Sequence, residues 1–548
     1  MHHDAKNISG NIVDVINGTI YPGTLRISAG AITDVTREKT DYDTYIIPGF
    51  IDSHIHIESS MLTPSEFARV AVVHGTVAVV SDPHEIANVL GVDGITYMID
   101  DGAAVPMKFY FSAPSCVPAT SFETSGAVLD AAAVEELLQL DEIRYLGEMM
   151  NYPGVIYGDP EVMKKIKAAQ KYGKPIDGHA PGLTGDDLAR YVGAGISTNH
   201  EALSVEEILE DIRAGMMVQI RKGSAANISD DCIPLLEKHY ESFMFCSDDK
   251  HPDDLLRGYL NDMVRDAVAR GIDVMRVLHI ASVNPVLHYN LDVGLLRVGD
   301  PADFLIVQDL RDFTILTTYI GGVPVADSGK SLLQKRASRM VNNFTIGRKS
   351  TDDFALPANG GTINVIEAID GQLTTSRLVE HPRVENGCAV TDVKRDILKI
   401  TVVNRYRDAS PAVGFIKNFG LKTGAIASSV AHDCHNIVAV GTNDRDLCRA
   451  VNRIIDQKGG ICAISGDREE MLPLPVAGIM SNKDCATVAE RYTTLDTMAK
   501  SMGSTLRAPF MTLSFMALPV IPKLKLTDQG LFNGETFQFI DLFNNRSS

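Results

Sequence analysis

The sequence predicts an α/β protein: a (β/α)8 TIM barrel with a small β domain split around it and an additional α/β domain at its C-terminal end. Three observations carry that prediction. From residue 46 to about 290, compact apolar strands alternate with helical stretches, the signature of βα units around a parallel sheet. Eight such units can be counted, and their span suits a closed barrel of about 250 residues. Histidines and carboxylates fall at or just past the strand ends, which is where this fold carries its active sites.

Residues 1–45 read as short strands, with branched apolar residues alternating with polar ones between Asn-Gly, Pro-Gly and Ala-Gly breaks. They form the first part of the small β domain. The first barrel strand is expected as the apolar run Ile46 to Ile51, leading into His54 and His56. Thr63, Pro64 and Glu66 of "TPSEF" then suggest a capping box, with a helix running to Gly75 as its stop. The second strand is "TVAVVSD", followed by His84 and Glu85. The remaining six lie near "KFYFSA", "IRYLGE", "KPIDGH", "ISTNH", "MVQIRKGS" and "FMFCSDD". Residues 46–290 are therefore the barrel. Residues 291–345, with "LDVGLLRVGDPADFLIVQDL", return to strand-like text that would complete the small β domain. Residues 346–548 start another domain, with strands such as "ILKITVVNRY" and "NIVAVGT" and the helix "DRDLCRAVNRIIDQKG".

Composition narrows the function classes. At 548 residues and a formal net charge of -19, most of the surface repels polyanions, so nucleic acid and anionic membranes are not expected partners. A small neutral substrate is compatible. Eight cysteines without a CxxC pair fit neither a disulfide scaffold nor a zinc knuckle, and point to a reducing, cytoplasmic setting. The stretch "MHHDAKNISG" has no signal-peptide pattern, and no apolar run reaches the roughly 18 residues of a membrane span. His2 and His3 sit near a chain end and carry no functional expectation.

The chemistry concentrates at the strand ends. Residues i and i+2 of a strand share a face, so His54 and His56 can reach one metal ion together. An HxH pair alone is weak evidence. Two further strands end in His179 and His200, and one ends in Asp248 and Asp249; four imidazoles and a carboxylate from strand termini form a ligand set. Glu148, at the end of the fourth strand, could bridge two ions held about 3.5–4 Å apart; its alternative is a salt bridge on the rim.

The segments "PGFIDSHIHIESS", "FCSDD" and "VGDPADFLIV", with His179 and His200 at strand ends, resemble the amidohydrolase superfamily. Within it, "SDPHEIANVLG", "LGEMMNYPGV", "IDGHAPGL", "IRKGSAAN" and "FCSDDKHPDDL" resemble the adenine deaminases of the prokaryotic type, over nearly the whole chain. The resemblance implies two divalent metal ions, manganese or iron with zinc also suitable. It assigns His54 and His56 to one metal, His179 and His200 to the other, Glu148 to the bridge and Asp248 to the eighth-strand aspartate. It also implies hydrolytic deamination of adenine to hypoxanthine and ammonia, with hydroxide attacking C6, Asp248 carrying the proton and Glu148 assisting as the bridge.

Asp249, His84 and Glu85 are the candidates for reading the purine ring, against a solvated loop and a helix cap as the plainer alternatives. Arg221 and Ser224 end the seventh strand; Arg221 would contact substrate or pair with an acidic neighbour. His432, Asp433 and His435 in "SVAHDCHNIVAVG" suit a surface turn better than a further metal. The nucleobase deaminases that pair H-x-E with P-C-x-x-C are excluded, because "HIE" is present but no CxxC exists. Another aminopurine or a cyclic amide is the alternative substrate, and a non-catalytic scaffold the reading from another class. A symmetric homo-oligomer is the usual expectation for such enzymes.

Overall fold

The computed structural model describes residues 5–202, 204–224 and 230–544. His2, His3 and the last three residues of "IRKGSAAN" lie outside them. Eight parallel strands form the barrel: β1 Phe50–Ile55, β2 Thr76–Ser81, β3 Lys108–Ala113, β4 Ile143–Met149, β5 Ile176–Gly178, β6 Thr198–Asn199, β7 Met217–Arg221 and β8 Phe243–Cys246. β1 to β5 pair in sequence, as do β6 to β8. Ser197 N donates to Ile176 O at 3.0 Å across the first seam, and Asp248 N to His54 O at 2.9 Å across the second. Every residue of β1 and β2 is buried, as expected of strands covered on both faces.

Asp52 is the buried carboxylate inside β1. Its carboxylate accepts from Ser247 N at 3.1 Å, Ser247 Oγ at 2.6 Å and the Tyr259 hydroxyl, tying the end of β8 to the first strand. Burial nevertheless raises its pKa to about 6.

The run Ile46 to Ile51 is not one strand. Tyr45–Pro48 belongs to the small β domain, where it pairs parallel with Lys6–Asp14 and antiparallel with Phe304–Val307. The barrel strand starts at Phe50. Between them sits Gly49, where a Cβ would meet the Val77 methyls at 2.4 Å, so the chain changes sheets at the one residue small enough to pass β2. The small domain is an eight-stranded sheet in which segments from both sides of the barrel meet at that Tyr45–Pro48/Phe304–Val307 pair.

The first barrel helix, Pro64–Ala71, also departs from expectation. Thr63 makes no side-chain cap, and the carboxylate of Glu66 is taken by Arg69 Nη1 at 2.8 Å and by Cys485 N at 3.2 Å. Tertiary partners outcompete the local capping box. The turn after this helix does end at Gly75, at φ 79°.

The C-terminal domain is built on a nine-stranded sheet with Ile397–Val403 and Ile437–Gly441 side by side near its centre. Helix Asp444–Gln457 packs its apolar side against buried Ala425, Ala427, Ile437 and Ala439. Lys525 is wholly buried here, donating to Leu373 O at 2.7 Å and Phe515 O at 2.9 Å. Burial pulls its pKa down to about 7, from an ordinary value of 10.5. Between those values the unfolded chain binds more protons than the folded one, so the Lys525 contribution to stability rises with pH across that window and is flat below it. Melting temperatures of the wild type and a Lys525→Met variant, compared at pH 7 and 9, should therefore show the wild type gaining relative to the variant at the higher pH. An unchanged difference would refute this. No helix among the described residues is long and apolar enough to cross a membrane.

Candidate metal centre and active site

The parallel barrel brings the strand ends to one mouth. His54 lies within β1, His56 just past it, Glu148 is the penultimate residue of β4, and His179 and His200 come immediately after β5 and β6. Asp248 follows β8 at φ 57°, a left-handed conformation that Asp tolerates better than most residues. The two oxygens of Glu148 face two different groups. Oε1 is 3.1 Å from His56 Nε2 and 3.9 Å from His54 Nε2; Oε2 is 2.7 Å from His179 Nδ1 and 3.3 Å from His200 Nε2. Asp248 also divides its oxygens, with Oδ1 3.2 Å from His56 Nε2 and Oδ2 2.6 Å from Arg221 Nη1.

The residues fit divalent cations. His54, His56 and Asp248 place one ligand atom each within 4.8 Å of one another, as do His54, Glu148 and His200, and also His179, His200 and Glu201. Both ring nitrogens of His54 and Nδ1 of His200 are buried without a hydrogen-bond partner, a costly state for polar atoms unless something is bound. An outer partner aims the His56 ring, as metal-binding histidines require: His56 Nδ1 lies 3.0 Å from the Asp82 carbonyl, whereas Asp177, 3.8 Å from His54 Nδ1, is too far to hydrogen-bond. Asp82 also receives Glu148 N at 3.0 Å and Ser112 Oγ at 2.8 Å. Burial opposes ionisation of Glu148, yet His179, His200 and His56 hold its carboxyl well below the usual carboxylate range.

Glu201, absent from the sequence expectations, pairs with Arg221 and stands 3.6 Å from His200 Nε2. The signal for it was available: it directly follows a strand-end histidine. Arg221 thus joins Glu201 to Asp248, taking the acidic-neighbour alternative. Ser224 does not reach the site. Its hydroxyl donates to Asp254 Oδ2 at 2.5 Å and accepts from His251 N at 3.0 Å, serving the start of helix Pro252–Arg257, and it is not among the residues lining the cavity.

That cavity, of about 500 Å³, lies over Glu148, His56, His179, His200 and Asp248, within the size range of small-molecule sites. The C-terminal domain supplies its far wall through Gly371–Thr374, Phe515 and Val520–Pro522. His432, Asp433 and His435 are buried, so the surface turn expected there is not what forms. The turn descends onto the barrel, where His432 and His435 each contact one oxygen of Glu85. Burial works against a charged His432 ring, but Glu85 outweighs it and raises its pKa to about 9. His84 and Glu85 are likewise buried rather than in a solvated loop. His84 stands 3.5 Å from Glu148 Oε1 and 4.0 Å from Asp433 Oδ1. Asp249 lines the cavity and accepts from Ser59 Oγ at 2.5 Å; burial and the Asp248 charge push its pKa up.

Comparison with known proteins agrees with this architecture. The amidohydrolase family profile matches residues 45–325, and the adenine deaminase C-terminal domain profile matches residues 372–538. A protein of Sulfurovum sp. (strain NBC37-1) named adenine deaminase is 54% identical over 97% of this chain and 99% of its own length. Proteins of the same name from Salinibacter ruber (strain DSM 13855 / M31) and Methanosarcina barkeri (strain Fusaro / DSM 804) are 52% and 50% identical, each over 98% of this chain and 99% of their own length. The amidohydrolase family uses divalent metal ions, for which the clustered histidines and carboxylates are suited. With a barrel profile, a C-terminal profile and full-length relatives in agreement, the chain belongs to the adenine deaminase family of amidohydrolases.

Proposed function

We propose that the chain hydrolyses adenine to hypoxanthine and ammonia at the barrel mouth, with Glu148 between two divalent cation positions and Asp248 as the proton carrier. The observation that carries this reading is the division of Glu148: one oxygen toward His54 and His56, the other toward His179 and His200. A carboxylate so placed suits a shared ligand. His54, His56 and Asp248 would hold one ion and His179 and His200 the other. Mixed imidazole and carboxylate donors suit manganese or iron, and zinc also. Ions bound there would supply Lewis acidity and bring the pKa of water toward neutrality.

The chain's own residues do the rest. Water's oxygen forms the new bond to C6 and the C6–amine bond breaks. Asp248 takes a proton from the attacking water and gives it to the departing amine, while the water's second proton ends on the ring as the N1–H of hypoxanthine. Arg221 holds Asp248 Oδ2 at 2.6 Å, leaving Oδ1 to face the reacting groups. His84, Glu85 and Asp249 line the wall against which the purine lies. The C-terminal wall limits water in the cavity, which strengthens each electrostatic contact inside it. Eight free thiols among the described residues support action in a reducing compartment such as the cytoplasm.

The test is ammonia release from adenine by protein stripped of metal and reloaded separately with manganese, iron or zinc. Metal-dependent release with hypoxanthine as product is expected. No release with any of the three would reject the reading and turn attention to other aminopurines and to cyclic amides.

A further inference from the structure

The turn carrying Asp433 is fixed on every side. His432 N donates to Ser514 O at 3.0 Å, His435 N to Ala431 O at 2.7 Å, and the Tyr406 hydroxyl to Cys434 O at 2.5 Å. The His432 ring stacks on Phe515 at 4.4 Å, and Asn436 Nδ2 reaches across to Thr124 O of the barrel at 2.9 Å. His432 and His435 also contact Glu85. This much anchoring determines where the residue between them points.

Asp433 faces the cavity, is 3% exposed, and its Oδ2 has no hydrogen-bond partner. A carboxylate oxygen stripped of water and left unpaired is costly, and enzymes keep such atoms where a ligand donor will meet them. The position gives the donor a location. His84 spans the space between the two carboxylates, with Nδ1 3.5 Å from Glu148 Oε1 and Nε2 4.0 Å from Asp433 Oδ1. Asp433 therefore stands one imidazole ring and two contacts away from the metal-facing carboxylate. In adenine, the N9–H of the imidazole portion lies across the fused rings from C6, so a purine with C6 beside Glu148 brings a ring N–H to the far side.

Building on adenine as the substrate, we propose that Asp433 of the C-terminal domain accepts a hydrogen bond from the purine ring N–H and makes the site specific for the free base. The domain then supplies recognition as well as a wall. A base substituted at N9 offers no donor, and leaves the buried oxygen unpaired as it binds.

The experiment compares competitive inhibition by hypoxanthine and 9-methylhypoxanthine in the metal-loaded wild type and in an Asp433→Asn variant. Asparagine keeps the side-chain shape, so exclusion of the methyl group by bulk alone would persist in it. The expected result is that the variant binds hypoxanthine about 100-fold more weakly, in the range for losing a charged hydrogen bond, while the constant or lower limit for the methylated base stays put. Equal weakening of both ligands, or of neither, overturns the proposal. If the wild type releases no ammonia from adenine, the underlying function fails; turnover with an unchanged ligand ratio removes only the role of Asp433. Should Asp433→Asn not fold with its metal, Asp433→Ser provides the same comparison.

Discussion

An Asp248→Asn protein is expected to fold and bind substrate yet lose about 1,000-fold in kcat, within the range for removing a positioned general acid–base group. The substitution is isosteric, and the amide still offers one oxygen to Arg221, now 2.6 Å from Oδ2. That choice turns the amide nitrogen toward His56 Nε2, which lies 3.2 Å from Oδ1. The group facing the reaction then donates where it must accept, and it has no proton affinity to carry a proton between water and amine. Steady-state turnover of adenine, with a melting curve as the control on folding, measures the effect. Activity within tenfold of the wild type would remove Asp248 from the proton path. Arg221 pairs with both Glu201 and Asp248, and so holds one Asp248 oxygen away from His56.

The barrel is legible in the sequence because its strands are buried on both faces and must be written as continuous apolar text, with turn chemistry between them. For the same reason the strand-end histidines stand out: an imidazole is out of place beside such a run unless it meets something at the mouth. What is not legible is whatever depends on a distant partner. Ile46 to Ile51 looks like one strand because both sheets it serves are apolar, and only Gly49 marks the crossing, through its contact with Val77. The local pattern at Thr63 and Glu66 is sound, but Arg69 and Cys485 claim the carboxylate. Ser224 ends the right strand and still turns away, because Asp254 captures its hydroxyl.

The "AHDCH" turn is the clearest case. A polar turn normally sits at the surface, where water satisfies it. Here Glu85, 347 residues earlier in the chain, receives His432, and that contact makes burial affordable. Nothing near the turn in sequence announces it. The cavity is therefore composite: the barrel contributes the clustered histidines and carboxylates, and the C-terminal domain contributes the far wall and the turn that carries Asp433.

Replacing Glu148 tests the metal centre more directly than any single histidine, because its two oxygens face the two halves. Each of His54 and His56 has Asp248 as a second neighbour at 3.7 and 3.2 Å, so loss of one interaction leaves that half partly assembled. Glu148→Gln changes the charge while keeping the volume. One amide oxygen can still face one half, but the amide nitrogen must then point at the other, donating toward imidazole nitrogens that have to be free for a cation. It also deprives His179 Nδ1 of an anionic partner at 2.7 Å. The expected result is a fall in bound metal from two to about one per chain on reconstitution, with activity lowered about 100-fold or more, as carboxylates in such two-ion sites hold both ions for the reaction. Metal analysis after desalting, alongside ammonia release, gives both readings on one sample. Two tightly held ions together with near-normal activity would show that Glu148 is a rim carboxylate and that the histidine groups bind metal independently of it. Full metal with lost activity would instead place its contribution in the chemistry and leave the ions to the histidines and Asp248.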